Sequence, residues 1–169
     1  FFYKWLYKCI RAVQKLSGAE KRDFSEGSWY GNDTIWRTIV DLNRILRFAD
    51  KSGALQTTPQ RTIFNVCDMI VTGEGEGPLK PSPKPMGVIV MSASIWAADR
   101  FICRLAGFSV NAIRYLSFLP DRPIEEASPL VVTQQGDSAT LETFAFDPAC
   151  YLRPTSGWKG HIELEERRA

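Results

Sequence analysis

The residues of this chain that could do acid or metal chemistry gather around one glycine-rich segment. Glu74 and Glu76 alternate with glycines directly after an apolar run that contains Asp68. Carboxylate oxygens are the ligands that hard divalent cations prefer. An ionised carboxylate inside a buried strand is costly unless it is paired, hydrogen-bonded or metal-bound. Asp68, Glu74 and Glu76, with Asp99 further along, are therefore candidate metal ligands; in the alternative, the glycines meet backbone constraints and the glutamates face water.

The same segment is also a candidate for binding a small ligand. Glycines such as Gly75 and Gly77 let a backbone approach a bound group, and Lys84 follows with a positive charge. The loop is a poor phosphate loop, because two acids would repel phosphate and prolines follow instead of a helix. Asn43 on a preceding helix completes the polar candidates, and in an enzyme the carboxylates would be general bases and Lys84 an electrostatic clamp.

His161 is the single histidine, and it is a candidate catalytic residue together with Lys84. Its unperturbed pKa lies near neutrality. Glu163 follows two residues later, so an extended segment would place both side chains on one face. Such a pair could orient a base or bind a metal, while the alternative is an ordinary hydrogen-bonding surface histidine.

The four cysteines, at positions 9, 67, 103 and 150, form no C-x-x-C pair. Structural zinc sites and ferredoxin-type clusters need such pairs to hold one ion or cluster. No iron–sulphur cluster is therefore expected within this chain. No nucleophile elbow or zinc-protease motif occurs either.

The helices and strands that position these candidates are predicted from the pattern of apolar and polar residues. This pattern predicts one α/β domain with a mixed β-sheet covered by helices. Ligands of such sheets bind at strand ends, which is where we expect the acidic residues to meet. The proline-rich stretch 78–85 is predicted as an irregular, stiff connection. Helices are predicted at 34–49, where Asn32 or Asp33 can cap the start, and over 95–116, where Gly107 can end a first helix after Leu105 and a second short helix reaches Leu116. Strands are predicted at 62–72, 87–91, 130–133 and 139–146.

Residues 1–17 form a predicted basic amphipathic helix, and residues 18–32 a predicted loop. Such a helix either lies on an anionic surface or is a solvated face packed on the domain. With 21 Lys and Arg against 19 Asp and Glu, a net charge of +2 predicts no nucleic-acid partner. The sequence begins with Phe1 instead of Met, so a piece of a longer protein or a processed form is expected. The absence of a signal peptide or a long apolar run from this sequence predicts a cytoplasmic location.

Several phrases together match a known family pattern. They are Asp41–Arg44, Thr58–Arg61, Asp68 followed by EGEGP at 74–78, Lys84–Pro85, and GWKGHIE at 157–163. Over roughly residues 30–165 the chain resembles the domain-of-unknown-function family 362. Members of that family usually carry a Pro-x-x-x-Asp step at a helix start; here Asp99 supplies the acid, but the proline is absent.

The resemblance implies no common reaction, although members are often described as iron–sulphur or ferredoxin-linked proteins. That label usually comes from an appended cysteine-rich segment, which this sequence lacks. The resemblance therefore implies the C-terminal part of a longer member, with any cluster in a missing segment, a ferredoxin-type domain or a redox partner.

Two functions stay open at this point, beside the alternative that the chain is a structural remnant whose active half lies upstream. The first is a site of acidic and polar residues that binds a small ligand or a divalent cation, with a redox-linked enzyme as its catalytic form. The second is a non-catalytic interaction module, in which the basic helix and the 78–85 segment dock a partner or, less favourably, a membrane surface.

Overall fold

A computed structural model describes residues 3, 5–6, 28–118 and 130–167. Tyr3, Trp5 and Leu6 are helical and exposed; the rest of the predicted helix at 1–17 lies outside the described residues, as does most of the predicted loop at 18–32. The helices are α1 (Ile35–Phe48), α2 (Ile95–Leu105) and α3 (Arg114–Ser117), and the strands are β1 (Asn65–Glu76), β2 (Lys80–Ser92), β3 (Leu130–Val132) and β4 (Ser138–Thr140). Short 3-10 turns occur at Val110–Ala112, Pro148–Cys150 and Glu165–Arg167.

Helix α1 begins and ends where its side chains satisfy free backbone groups. The Asn32 Oδ1 accepts hydrogen bonds from the N–H groups of Thr34 and Ile35, at 3.0 and 3.1 Å. At the other end, the Arg61 guanidinium donates to the carbonyl oxygens of Leu46 and Ala49. The positive charge of Arg61 also interacts favourably with the partial negative charge at this end of the helix. The helix predicted at 34–49 is confirmed.

Strands β1 and β2 form a long antiparallel hairpin whose two faces differ. Cys67 and Met69 point into the core, whereas Val66 and Asp68 lie on the exposed face, as strand alternation requires. Between the pairs Met69–Val88 and Val71–Pro85, one residue of β1 faces two of β2. The strand predicted at 62–72 exists, but it is buried on one face only.

Most of the proline-rich stretch, from Lys80 onward, is part of β2, so its prediction as an irregular connection is wrong. Pro81, Pro83 and Pro85 are paired with β1 residues at every second position. Successive residues of a strand alternate in direction, so prolines at this spacing lose their N–H groups along the outer edge and leave the ladder to β1 intact. The missing donors also protect that edge from pairing with another strand.

The core lies between this hairpin and α2. Met69, Val90 and Leu105 form its centre, and Phe101 and Phe146 pack against them. Helix α2 is capped by Ser94, whose side chain accepts the N–H of Ala97 at 3.1 Å, and it ends before Gly107, which has φ +75°. The helical stretch predicted over 95–116 is divided as expected, because the left-handed glycine ends α2 and α3 begins separately at Arg114.

The chain is a single α/β domain, as predicted. Its described strands form two antiparallel pairs, β1–β2 and β3–β4, where a mixed sheet was expected. The strand predicted at 139–146 is limited to Ser138–Thr140, since the chain turns at residues 141–143. The final segment then returns along the hairpin and α2: the Leu152 N–H donates to the Ala106 carbonyl at 2.9 Å, and Phe108 forms a bridge with Glu163.

Candidate functional site

The acids of the glycine-rich turn are engaged in structural hydrogen bonds. Glu74 accepts the backbone N–H of Arg153 at 2.9 Å and its Nε at 2.8 Å. Glu76 accepts the backbone N–H of Ser156 at 2.8 Å. The backbone hydrogen bond from Arg153, followed by its guanidinium, lowers the pKa of Glu74. Both carboxylates therefore hold the final segment against the hairpin.

The other candidate ligand residues in and near this turn also form structural hydrogen bonds. Gly75, at φ +78°, donates its N–H to the Arg153 carbonyl at 2.9 Å. The Gly77 N–H donates back to the Gly75 carbonyl at 2.8 Å. Lys84 donates its Nζ to the Tyr151 carbonyl at 2.5 Å. Of the predicted ligand residues, Gly75 and Lys84 thus form a joint to residues 151–156 together with Glu74 and Glu76, whereas the Gly77 hydrogen bond stays within the turn.

Asp68 is exposed, so the prediction of an ionised carboxylate inside a buried strand is wrong. It lies on the exposed face of β1, opposite Ile89. Its Oδ1 accepts the N–H of Ile70 at 2.9 Å, next to the irregularity in the strand pairing. Water and a local hydrogen bond satisfy this carboxylate, so its position needs no metal.

His161 lies in a turn on the surface, where its ring stacks on Tyr30 with centroids 4.5 Å apart and planes within 4°. The Glu163 carboxylate accepts the N–H groups of Gly160, at 2.9 Å, and Ile162, at 3.2 Å. The chain turns at this point, so the expected two-residue strand geometry is wrong.

Asn43 and Asp99 do come together, in a cleft between α1, α2 and α3 that we call the Asp99 cleft. Its volume is about 60 Å³. One stripe of α1 at helical spacing supplies Asn43 and Arg47, and Arg44 lies beside them. The walls are formed by Ile39, Val40, Asn43, Arg44, Arg47, Phe48, Ile95, Trp96, Asp99, Tyr115 and Leu116.

Polar contacts fix the walls of this cleft. The Asn43 amide donates to the Ile39 carbonyl at 2.8 Å, and the Trp96 indole donates to the Leu116 carbonyl at 3.3 Å. Burial raises the pKa of Asp99, while a hydrogen bond from the Tyr115 hydroxyl opposes that shift. Asp99 is thus a half-buried carboxyl group with an increased tendency to hold a proton at a cleft lined by two arginines.

A nucleophilic role for the neighbouring cysteine is excluded by its surroundings. Cys103 lies one helical turn after Asp99, is buried, and contacts the Phe108 carbonyl at 3.5 Å. Burial raises the pKa of its thiol to about 12. Because the thiolate is the reactive form, this cysteine is an inert core residue.

The four predicted metal ligands lie in three different places: Asp68 on the exposed strand face, Glu74 and Glu76 in the joint, and Asp99 in the cleft. Across residues 28–118 and 130–167, no three His, Cys, Asp or Glu side chains come close enough to hold a metal ion. Sequence reasoning missed Arg47 and Tyr115, whereas Arg44 belongs to the Asp41–Arg44 phrase noted above. The helical spacing from Asn43 to Arg47 was the available signal.

A second, larger cavity shares Ile39 and Tyr115 with the Asp99 cleft. We call it the aromatic cavity; it has a volume of about 430 Å³. Tyr30, Trp36 and Trp158 supply further aromatic walls, and Pro78 reaches it from the tip of the β1–β2 hairpin. The sequence showed these aromatic residues but not that they meet.

Fold and site together define a small α/β domain with a polar cleft beside its helices. The model of the family described as domain of unknown function (DUF362) matches residues 5–104, more than half of the 169 residues, and the chain belongs to this family. The match includes the EGEGP segment and Asp99 but ends before the GWKGHIE phrase. Neither the curated proteins nor the solved structures gave a match. In the part of the chain that the structure describes, no helix combines the length and the apolar composition that crossing a bilayer would need.

Proposed function

We propose that this domain binds a small anionic ligand in the Asp99 cleft. The observation that carries the proposal is that a half-buried Asp99 lines one concave space together with Arg44 and Arg47. Sites of this kind use a few converging polar groups to orient a ligand. The proposal keeps Asn43 and Asp99 from the sequence prediction and adds the arginines.

The charge of the walls favours an anion over a cation. Arg44 and Arg47 line the cleft together with a single carboxyl group, Asp99, whose burial favours its neutral form. Guanidinium groups match the geometry of carboxylate and phosphate oxygens. A divalent cation would need several carboxylate or carbonyl oxygens, whereas the predicted acids at Asp68, Glu74 and Glu76 do not line this cleft.

Asp99 gives the cleft a group that can exchange a proton with the ligand. A carboxyl group held neutral by its surroundings can donate a hydrogen bond to a ligand oxygen, and an ionised one can accept a proton. Tyr115 orients it through the hydroxyl hydrogen bond. These are the groups that an enzymatic form of this site would use. A redox role through a ferredoxin-type partner and a cytoplasmic location stay predictions.

The test is binding of inorganic phosphate by calorimetry and thermal shift to the wild type and to Arg44→Gln, Arg47→Gln and Asp99→Asn. Arg37→Gln is the matched control, because Arg37 lies on the same helix, pairs with Asp33 at 2.9 Å and does not line the cleft. Phosphate is expected to stabilise the wild type and the control, but neither arginine variant, since only folded-state binding raises the melting temperature. Equal shifts in all variants would overturn the proposal. Stabilisation by Mg²⁺ or Mn²⁺ that is lost in Asp99→Asn would replace it with a cation site.

A second candidate function, contact with another protein, is favoured by the exposed face of the hairpin. Val66 is 62% exposed and its strand partner Met91 is 65% exposed, with Ile89 beside them. Contiguous exposed apolar residues often mark interaction surfaces. If this face associates, Met91→Lys will reduce the mass measured by light scattering without changing the circular dichroism. A wild type that is monomeric throughout would argue against self-association.

A further inference from the structure

The aromatic cavity has preorganised walls. The Tyr30 and Trp158 rings meet edge to face, with centroids 5.8 Å apart and an interplanar angle of 81°. The Trp36 indole donates to the Asp33 carboxylate at 2.9 Å and packs edge to face on Phe118. Rings held by such contacts need not be ordered when a ligand enters, which lowers the entropic cost of binding.

The cavity also offers no net charge to its occupant. Arg114 contributes to its wall, but its guanidinium is paired with Asp33 at 2.7 Å. The Asn32 Oδ1 is used by the start of α1. The remaining surface is largely aromatic and aliphatic, and such a surface suits an uncharged planar ring.

The two spaces are neighbours, because Ile39 and Tyr115 line both. About 60 Å³ in the Asp99 cleft holds only a head group, whereas about 430 Å³ in the aromatic cavity has room for a ring system. For comparison, an apolar cavity of roughly 150 Å³ accommodates benzene. A ligand that fills both spaces therefore has a compact anionic end and an aromatic end.

We propose that the ligand class of this domain is an aryl anion, whose phosphate or carboxylate lies at Arg44 and Arg47 while its ring lies between Trp158, Tyr30 and Trp36. This inference rests on the proposed anion site and specifies the substrate class of that site. The supporting observations are the charge of the cleft, the lining residues Ile39 and Tyr115 that it shares with the cavity, and the sizes of the two spaces.

The experiment compares three probes: phenyl phosphate, cyclohexyl phosphate and inorganic phosphate. The proteins are the wild type, Trp158→Leu, Trp158→Phe and Trp29→Leu. Trp29 is the matched control, since it lies beside Tyr30 in the chain but does not line the cavity. Trp158→Phe keeps an aromatic ring, and circular dichroism checks the fold of each variant.

We expect phenyl phosphate to bind the wild type about tenfold more tightly than inorganic phosphate, with cyclohexyl phosphate between them. Trp158→Leu should lose this advantage and keep its affinity for inorganic phosphate, while Trp158→Phe and Trp29→Leu should retain the advantage. If Trp158→Leu changes the affinity for inorganic phosphate, its fold is disturbed, and Tyr30→Leu is measured in its place. If Tyr30→Leu still binds phenyl phosphate more tightly than inorganic phosphate by the wild-type factor, the inference is overturned.

The failures of the two proposals are distinguishable. If phenyl phosphate binds no more tightly than inorganic phosphate, and Arg44→Gln abolishes phosphate binding, the aryl inference is wrong while the anion site stands. If phenyl phosphate binds equally well to the wild type, Arg44→Gln and Arg47→Gln, the ring cavity acts alone and the combined ligand is overturned. If none of the three probes binds, both proposals are wrong.

Discussion

Replacing Glu74 by Gln tests whether the acids of the glycine-rich turn are structural. Glu74 is 14% exposed and accepts two hydrogen bonds from Arg153, one from the backbone N–H and one from Nε. A hydrogen bond to a charged group contributes about 1.5–3 kcal/mol, and a neutral one about 0.5–1.5 kcal/mol. The Arg153 side chain is 62% exposed, so its ion pair contributes only about 0.2–1 kcal/mol.

Gln keeps one acceptor and turns its amide N–H groups toward the second donor, so the loss is about 2 kcal/mol of unfolding free energy. For a domain of this size, that loss lowers the melting temperature by about 4–8 °C. Differential scanning fluorimetry and urea denaturation measure it. Arg153→Met is the matched control, because it keeps the backbone N–H and removes only the guanidinium; its expected cost is below about 1 kcal/mol.

The lowered pKa of Glu74 also determines how the stability difference between the wild type and Glu74→Gln depends on pH. The pKa of Glu74 is lowered in the folded protein, so its stabilisation is present above the ordinary glutamate pKa of about 4.3 and disappears as the pH falls through the lowered folded value. The wild type and Glu74→Gln should therefore converge in stability in acid. A cost equal to that of Arg153→Met at neutral pH would refute the dominant role of the backbone hydrogen bond. A raised melting temperature would instead indicate relief of repulsion in an empty metal site.

Three further predictions concern the core, the end of α2 and the cleft. Leu141 is 2% exposed, so Leu141→Ala should cost about 2–5 kcal/mol in urea denaturation; a cost below about 1 kcal/mol would show that the site collapses or is not part of the core. A Cβ at Gly107 would lie 2.6 Å from the Tyr151 ring at φ +75°, so Gly107→Ala should cost more than Gly136→Ala, where nothing lies within 4 Å; equal melting temperatures would contradict this steric argument. Burial raises the pKa of Asp99, and the carboxyl group ionises as the pH rises through that pKa. The ionised carboxylate should then repel sulfate by roughly 1.4 kcal/mol, which weakens sulfate binding about tenfold. Calorimetry on Asp99→Asn should show no such dependence, and an identical pH profile in both proteins would exclude this carboxyl group as the cause.

Local patterns predicted the elements whose signals are local. The Asn32 cap and the apolar spacing of α1 gave its bounds to within one or two residues, and the left-handed Gly107 was expected at a helix end. Hydrophobic runs located parts of β1 and β2. The full length of β2 was missed because prolines usually end a strand. Here they stand at every second position, so they remove hydrogen-bond donors only from the edge that does not pair with β1.

The candidate site shows the same division. Asn43 and Asp99 were among the predicted residues, but they were grouped with acids that the fold places elsewhere. Asp68 was misinterpreted because an apolar run does not reveal which face of a strand is covered. Glu74 and Glu76 resemble metal ligands in sequence, and only the return of residues 151–156 shows that backbone N–H groups satisfy them.

By itself, the sequence determined the family, the α/β class and the chemical types available to a site, because these depend on composition, local periodicity and short motifs. Only the tertiary structure decided which polar groups are used up in holding the chain together and which line a cavity. Long-range contacts separated by about 80 residues, such as Glu76 with Ser156, consume the conspicuous acids. Three helices meanwhile bring Asn43, Asp99 and Tyr115 to one cleft. Hydrogen-bond partners that are distant in sequence leave no periodic signal, so their positions follow from packing alone.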